Sequence, residues 1–309
     1  MKAPGGMGVL AACLLALWAL PARLDAAFVR ANCRGIQEFS MTDGSVSCRE
    51  SSVLDDSRSH LMLGHTRATA SLARGMLFAS AAGGQIRDVG SNGGEAGALF
   101  TDRLTVVGDF DDAIAVTVRL CVAYGFAGFG ESRVHAMLRS SSAMSSPAGN
   151  QAGVRLSHQG FAGTVLSDVD SRGQFEIPAE ASLPARAHLL LGVTETLERS
   201  SPYLNVRADV AAFALPNLNA LEPVLSSFAR VEAWIVISMP PPLTFTSESG
   251  VFLSAPDAAE ARNAGQGTQP SWVIMNSAHI GTSYALRNHR RGYRAAARSD
   301  CRHQLGLDG

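Results

Sequence analysis

Three carboxylates fall within four residues at Asp109-Phe-Asp-Asp112, directly after strand-like text. Hard oxygen donors at that density suit Ca²⁺, which takes carboxylate and carbonyl oxygens in a flexible shell. The same residue types also make an ordinary acidic turn, in which Asp side chains bond nearby backbone. The acidic turn is the preferred reading, and Asp109, Asp111 and Asp112 stand beside it as calcium candidates. A second acidic run, Asp168-Val-Asp-Ser-Arg-Gly173, opens like an EF-hand loop. There, however, Arg172 occupies a ligand place and Ala179 stands where the bidentate Glu belongs, so it too is read as a turn.

Carboxylates can also work in pairs. Hydrolysis of a glycosidic bond needs two of them about 5 to 10 Å apart, and Asp102 with Glu176 or Asp209 could supply such a pair across two sheets. The competing reading is that an Asp within strand text edges a strand and bonds backbone locally. No other catalytic pattern is present: there is no Gly-x-Ser-x-Gly elbow, no His-Glu-x-x-His and no nucleotide fingerprint. The glycines from Gly83 to Gly97 lack a Gly-Lys-Ser/Thr and are read as a surface loop. His60 and His65 flank one strand-like segment, but side chains alternate along a strand, so five-residue spacing puts them on opposite faces. No cofactor is implied beyond the calcium candidates.

The N-terminus reads as an export signal over residues 1–27: Lys2, an apolar run from Val9 to Leu20, the break at Pro21 and small residues at Ala26 and Ala27. That run is too short for a permanent span, which needs about 20 residues, so no transmembrane segment is expected in the mature chain. Leu10-Ala-Ala-Cys13 matches a lipoprotein cleavage pattern, but most of the apolar run follows Cys13, so the ordinary signal peptide is preferred. Export puts the remaining cysteines, Cys33, Cys48, Cys121 and Cys301, where disulfides persist, with three pairings open. Cys33 with Cys48 is the preferred pair, stapling the first hairpin or loop; a loop of about 15 residues corresponds to ~3 kcal/mol in the chain-entropy model. Cys121, inside an apolar strand, reads as a small buried hydrophobe.

The elements that would position these residues are strands. Residues 28–57 form a polar lead-in, and strand text begins at His60-Leu-Met-Leu-Gly-His65. It continues through Phe100 to Val107, Ala113 to Tyr124, Arg133 to Arg139, short pieces at Gly153 to Ser157, Gly163 to Ser167 and Gln174 to Ile177, and Arg186 to Leu197. Asn205 to Leu215, Arg230 to Ser238 and Leu243 to Ser254 read as three consecutive strands of one antiparallel sheet, the last folding into a hairpin at Ser247-Glu-Ser-Gly250. Roughly ten strands without alternating helices predict an all-β fold over 58–255, an antiparallel β-sandwich or jelly roll, with the little helix present confined to loops. Residues 256–309 are rich in Ala, Gly, Gln, Asn and Arg and read as a disordered tail, in preference to an arginine-rich arm for polyanions. A net charge of −1 gives no electrostatic argument for nucleic acid or anionic membrane as a partner.

Two groups of residues carry a family resemblance. Ala208-Asp209 with Phe213, Trp234-Ile-Val-Ile237 and Phe245-Thr-Ser-Glu-Ser-Gly250 stand in the order of an Ala-Asp-aromatic strand, an apolar strand and a Thr-x-Ser-x-Ser-Gly ending. Upstream, Phe100-Thr-Asp102-Arg-Leu-Thr-Val106 matches an aromatic-x-Asp-x-Leu-Thr-Val strand. Over roughly 65–254 the chain resembles secreted bacterial proteins of the PEP-CTERM type, without their C-terminal Val-Pro-Glu-Pro-like anchor. The resemblance implies a secreted or envelope-associated bacterial protein that binds or builds surface material such as polysaccharide or biofilm matrix, with envelope proteins as the other partners. The alternative is a secreted polysaccharide hydrolase using paired carboxylates.

Overall fold

The computed structural model describes residues 27–33, 36–40, 44–56, 59–86, 90–128, 130–145, 149–159, 163–171, 186–215, 224–255 and 275–276. Two antiparallel sheets pack face to face, and the described residues contain strands and turns but no helix. The first sheet runs in the order β11 (Gly163–Ser171), β10 (Asn150–Gln159), β9 (Glu131–Ser141), β13 (Tyr203–Leu215), β7 (Gly94–Val107), β1 (Phe28–Cys33), β2 (Ile36–Ser40). A short β15 (Thr244–Ser247) also pairs with β7, at Leu104 to Val107, just beyond the stretch paired with β1. The second sheet runs β16 (Met275–Asn276), β12 (Arg186–Glu198), β8 (Ala113–Gly128), β14 (Val224–Ser238), β5 (Met76–Ile86), β4 (Ser59–Ser71), β3 (Ser45–Asp56), with β6 (Gly90–Asn92) also on β5.

Period-two alternation sets which side chains meet between the sheets. Along β13 the even-numbered residues Leu204, Val206, Ala208, Val210, Ala212 and Ala214 are buried, while Arg207, Asp209, Ala211 and Phe213 face outward. The inner layer is rich in alanine, with Ala68, Ala70, Ala79, Ala81, Ala96 and Ala98 all buried, and larger Phe100, Leu120, Tyr124, Leu138 and Leu191 filling between them. At Gly94 the sheets approach closely: a Cβ there would sit 2.8 Å from the Ala82 carbonyl oxygen of the opposite sheet. Only glycine lets the two backbones meet at that point.

Several expectations change. The segment read as a polar lead-in supplies β1 and β3, both in the sandwich, because Val29, Ala31 and Cys33 alternate inward against β7. The glycine stretch read as a loop is largely strand: Gly83 and Gly84 end β5 in pairing with β14, and Gly94 and Gly97 lie in β7. The three segments from Asn205 onward are not neighbours in one sheet, since β13 and β15 belong to the first and β14 to the second. Nor does Ser247–Gly250 close a hairpin. Past it, the chain turns inward and buries Phe252 and Leu253. The expectations for residues 1–26, for Gln174 to Ile177, and for the tail apart from β16 lie outside the described residues.

Candidate functional site

Asp102 points into the sandwich from β7 and is 0% exposed. Its Oδ1 accepts from the Arg103 backbone N–H at 2.8 Å and from the Ser249 N–H at 3.2 Å, while Oδ2 accepts from Ser249 Oγ at 2.5 Å. Burial pushes the carboxyl above its usual range, and the Ser249 and Arg103 bonds oppose that shift. All these partners serve the turn after β15, where the Glu248 N–H also reaches the Arg103 carbonyl at 2.8 Å. Asp102 therefore acts as a scaffold residue for this turn.

Asp209 lies on the outer face of the same sheet, opposite Leu99 of β7 and Met137 of β9. Asp102 and Asp209 thus occupy opposite faces of the first sheet, and the fold does not bring them together as a hydrolytic pair. Glu176 lies outside the described residues. Around Asp209 stand nitrogen-bearing side chains: His135 Nδ1 is 3.7 Å from Oδ2 and the Arg207 Nε is 3.8 Å from Oδ1. Burial pushes the Asp209 carboxyl up, with His135, Arg207 and Arg139 pulling the other way.

The register extends this cluster across the sheet. Arg207 sits between Thr101 on β7 and Arg139 on β9, and Arg30 on β1 is opposite Leu99, the residue that faces Asp209 from the other side. Burial lowers the Arg207 pKa, Asp209 opposes, and Arg139 adds to the lowering. Arg30 is lowered by burial and then by Arg207. Arg139 directs its Nε at the Met137 sulfur, 2.9 Å away, and the enclosed Nε atoms of Arg30 and Arg207 have no hydrogen-bond partner. Chemically, the face offers guanidinium N–H donors to an anion and one carboxylate to a hydroxyl. The i, i+2 spacing of Arg207 and Asp209, and of Arg133 and His135, was the sequence signal for shared faces. Which strands lie side by side could not be read from spacing.

The calcium candidates lie in the exposed connection between β7 and β8. Asp109 Oδ1 accepts from an Arg199 guanidinium at 2.7 Å, and the Asp112 carbonyl accepts from the Arg199 backbone N–H at 3.2 Å. Among the described residues, no group of three or more His, Cys, Asp or Glu is placed to hold a metal ion, so Asp109, Asp111 and Asp112 are not gathered into one. Asp168 and Asp170 are strand residues of β11, in register with Arg155 and Gly153 of β10, where a turn was expected. His60 and His65 both fall in β4.

Cys33 and Cys48 form a disulfide with a Cα–Cα distance of 5.9 Å. The bridge does not staple one hairpin: Cys33 is on β1 of the first sheet and Cys48 on β3 of the second, so it ties the sheets together. Cys121 is a free, buried thiol, as its apolar context predicted. A further tie went unnoticed in the sequence. Glu195 of β12, 2% exposed, accepts from Ser140 Oγ of β9 at 2.6 Å, from Ser142 Oγ at 3.4 Å and from Ser145 Oγ.

The fold therefore defines an all-β, two-sheet sandwich. No family model, curated protein or solved structure matches the chain.

Proposed function

We propose that this chain is an exported, noncatalytic β-sandwich module of a bacterium, secreted or held at the cell envelope, which binds or builds extracellular material such as polysaccharide. The observation that carries this reading is the use made of its carboxylates. Asp102 is consumed inside the sandwich by Ser249 and Arg103, while Asp209 stands on the opposite face among cations. A hydrolase built on that pair would need both carboxylates at one scissile bond. A partly exposed polar cluster on a sheet face instead suits a ligand laid across it. The Cys33–Cys48 bridge is in keeping with an oxidising compartment.

The test is a glycan-array and insoluble-polysaccharide binding screen on the purified full chain, with calcium and with chelator. Saturable binding that survives Asp102→Asn supports the module; release of reducing ends from any bound glycan overturns it. Loss of binding with chelator would return Asp109, Asp111 and Asp112 to the list of ligands. If no glycan binds, the chain is better sought in complexes with envelope proteins.

A further inference from the structure

We infer that the outer face of the first sheet binds an acidic, hydroxyl-bearing polymer of the uronate-polysaccharide type, its carboxylates held by Arg30, Arg139 and Arg207 and its hydroxyls by Asp209. This inference rests on the binding-module reading above and names the ligand class of that module.

Like charges set directly opposite on neighbouring strands are destabilising, yet the register places Arg207 opposite Arg139. Their acceptors are poor. Arg139 Nε reaches only a thioether sulfur, Arg207 Nε stops 3.8 Å short of Asp209, and Arg30 Nε has no partner. Three guanidiniums face one carboxylate here, against a net charge of −1 for the whole chain, so the excess positive charge is local. The Nε atoms of Arg30 and Arg207 are enclosed, so an anion carrying paired oxygens would be met by the terminal Nη groups, whose planar fork matches a carboxylate.

The shape of the cluster selects a polymer. From Arg139 on β9 through Arg207 on β13 and across β7 to Arg30 on β1 there are three strand spacings, roughly 14 Å at about 4.8 Å each. Among the neighbouring outward positions Gly97 and Ala211 are small and lie opposite one another, whereas Leu99 and Met137 flank Asp209 directly and offer apolar surface between the charged groups. Asp209 bears on the choice of polyanion through its acceptor oxygens: every ring of an acidic glycan carries hydroxyls that can donate to a carboxylate, and a DNA backbone carries none, which favours the glycan.

The experiment is retention of the full chain on immobilised polygalacturonate, dextran and a single-stranded oligonucleotide, at low and at high salt. Wild type is compared with Arg30→Gln and with Arg139→Gln/Arg207→Gln. The expected result is saturable, salt-sensitive binding to polygalacturonate, weaker binding to the other two, and a loss of about tenfold or more in each variant, as for charge-assisted bonds. Variant circular dichroism should match wild type, which separates a loss of binding from a loss of fold. If the double variant fails to fold, Arg30→Gln alone decides. Equal binding to polygalacturonate and dextran, unchanged in the variants, overturns this inference and leaves the binding module standing. Tighter binding to the oligonucleotide overturns the glycan assignment. Binding to no glycan overturns this inference and moves the search for the module's partner to envelope proteins.

Discussion

Ser249 Oγ donates to Asp102 Oδ2 at 2.5 Å across 147 residues of chain, and the Ser249 N–H donates to Oδ1 of the same carboxylate. The contact joins the centre of β7 to the turn that leaves β15, and it holds the turn so that Phe252 enters the core edge-on to Phe100, with ring centroids 5.9 Å apart. A buried carboxylate is costly without such partners. Asp102→Ala should therefore leave the Arg103 and Ser249 N–H groups unserved and cost about 1–3 kcal/mol, read as a lower urea midpoint. Asp102→Asn, which keeps an acceptor, should cost less.

The same carboxylate gives a pH signature. Its pKa in the fold lies above the unfolded value, so the native state holds the proton more tightly. Stability from this group is therefore greatest in acid and is lost as pH rises from about 4, the unfolded aspartate value, to the folded pKa, and is flat beyond it. Denaturant midpoints followed from pH 4 upward should fall less steeply in Asp102→Asn than in wild type. Superimposable profiles would remove burial as the cause.

Cys33 and Cys48 hold the sheets together near one edge, and removing the bridge enlarges the unfolded ensemble across their separation of 15 residues. Cys33→Ser/Cys48→Ser should lose about 3 kcal/mol. Reductant should lower the thermal midpoint of wild type to that of the variant and leave the variant unmoved.

Glu195 ties the sheets at the far end of β12 through the hydroxyls of Ser140, Ser142 and Ser145. Glu195→Ala should strand those donors and cost about 1–3 kcal/mol in chemical denaturation. Ser145→Ala removes one donor of the three and should cost less. Equal losses would mean that packing, and not the hydrogen bonds, carries the effect.

Strand type was legible wherever β-branched and apolar residues alternated, as in β8 and β13, because burial on one face imposes that pattern locally. Sheet membership was not. Asn205 to Ser254 is continuous in sequence yet crosses between sheets twice, and nothing in residue type marks the crossing. The Gly83 to Gly97 stretch misled for a related reason: glycine signals a loop in isolation, but Gly94 is there because the Ala82 carbonyl of the other sheet approaches it. The disulfide pair was legible from spacing, its inter-sheet role was not, since the chain crosses from the first sheet to the second between β2 and β3 and no residue type marks that crossing. The arginine cluster depends on β1, β7, β13 and β9 lying side by side, a relationship between residues 30, 139 and 207 that only the fold supplies.

Gly75 supports the end of the domain and can be tested by its neighbours. It lies in the turn between β4 and β5 at a φ of 56°, its carbonyl accepts from the Ile235 N–H at 2.9 Å, and a Cβ there would press on Leu253 Cδ2 and stand 2.6 Å from Ile235 Cγ2. An L-residue pays roughly 1–2 kcal/mol for left-handed backbone alone, and overpacking adds about 1–3 kcal/mol. Gly75→Ala should thus destabilise by roughly 2–5 kcal/mol. Leu253, fully buried, is itself hydrogen-bonded to the Leu72 carbonyl at 2.9 Å, so the segment cannot simply step aside. Leu253→Ala alone opens a cavity and should cost about 2–5 kcal/mol. In the double variant the new methyl group partly fills the space that Leu253 leaves, so the combined loss should fall below the sum of the single losses by about 0.5–3 kcal/mol. Strict additivity in that cycle would show that backbone conformation, and not the contact with Leu253, is what requires glycine at this turn.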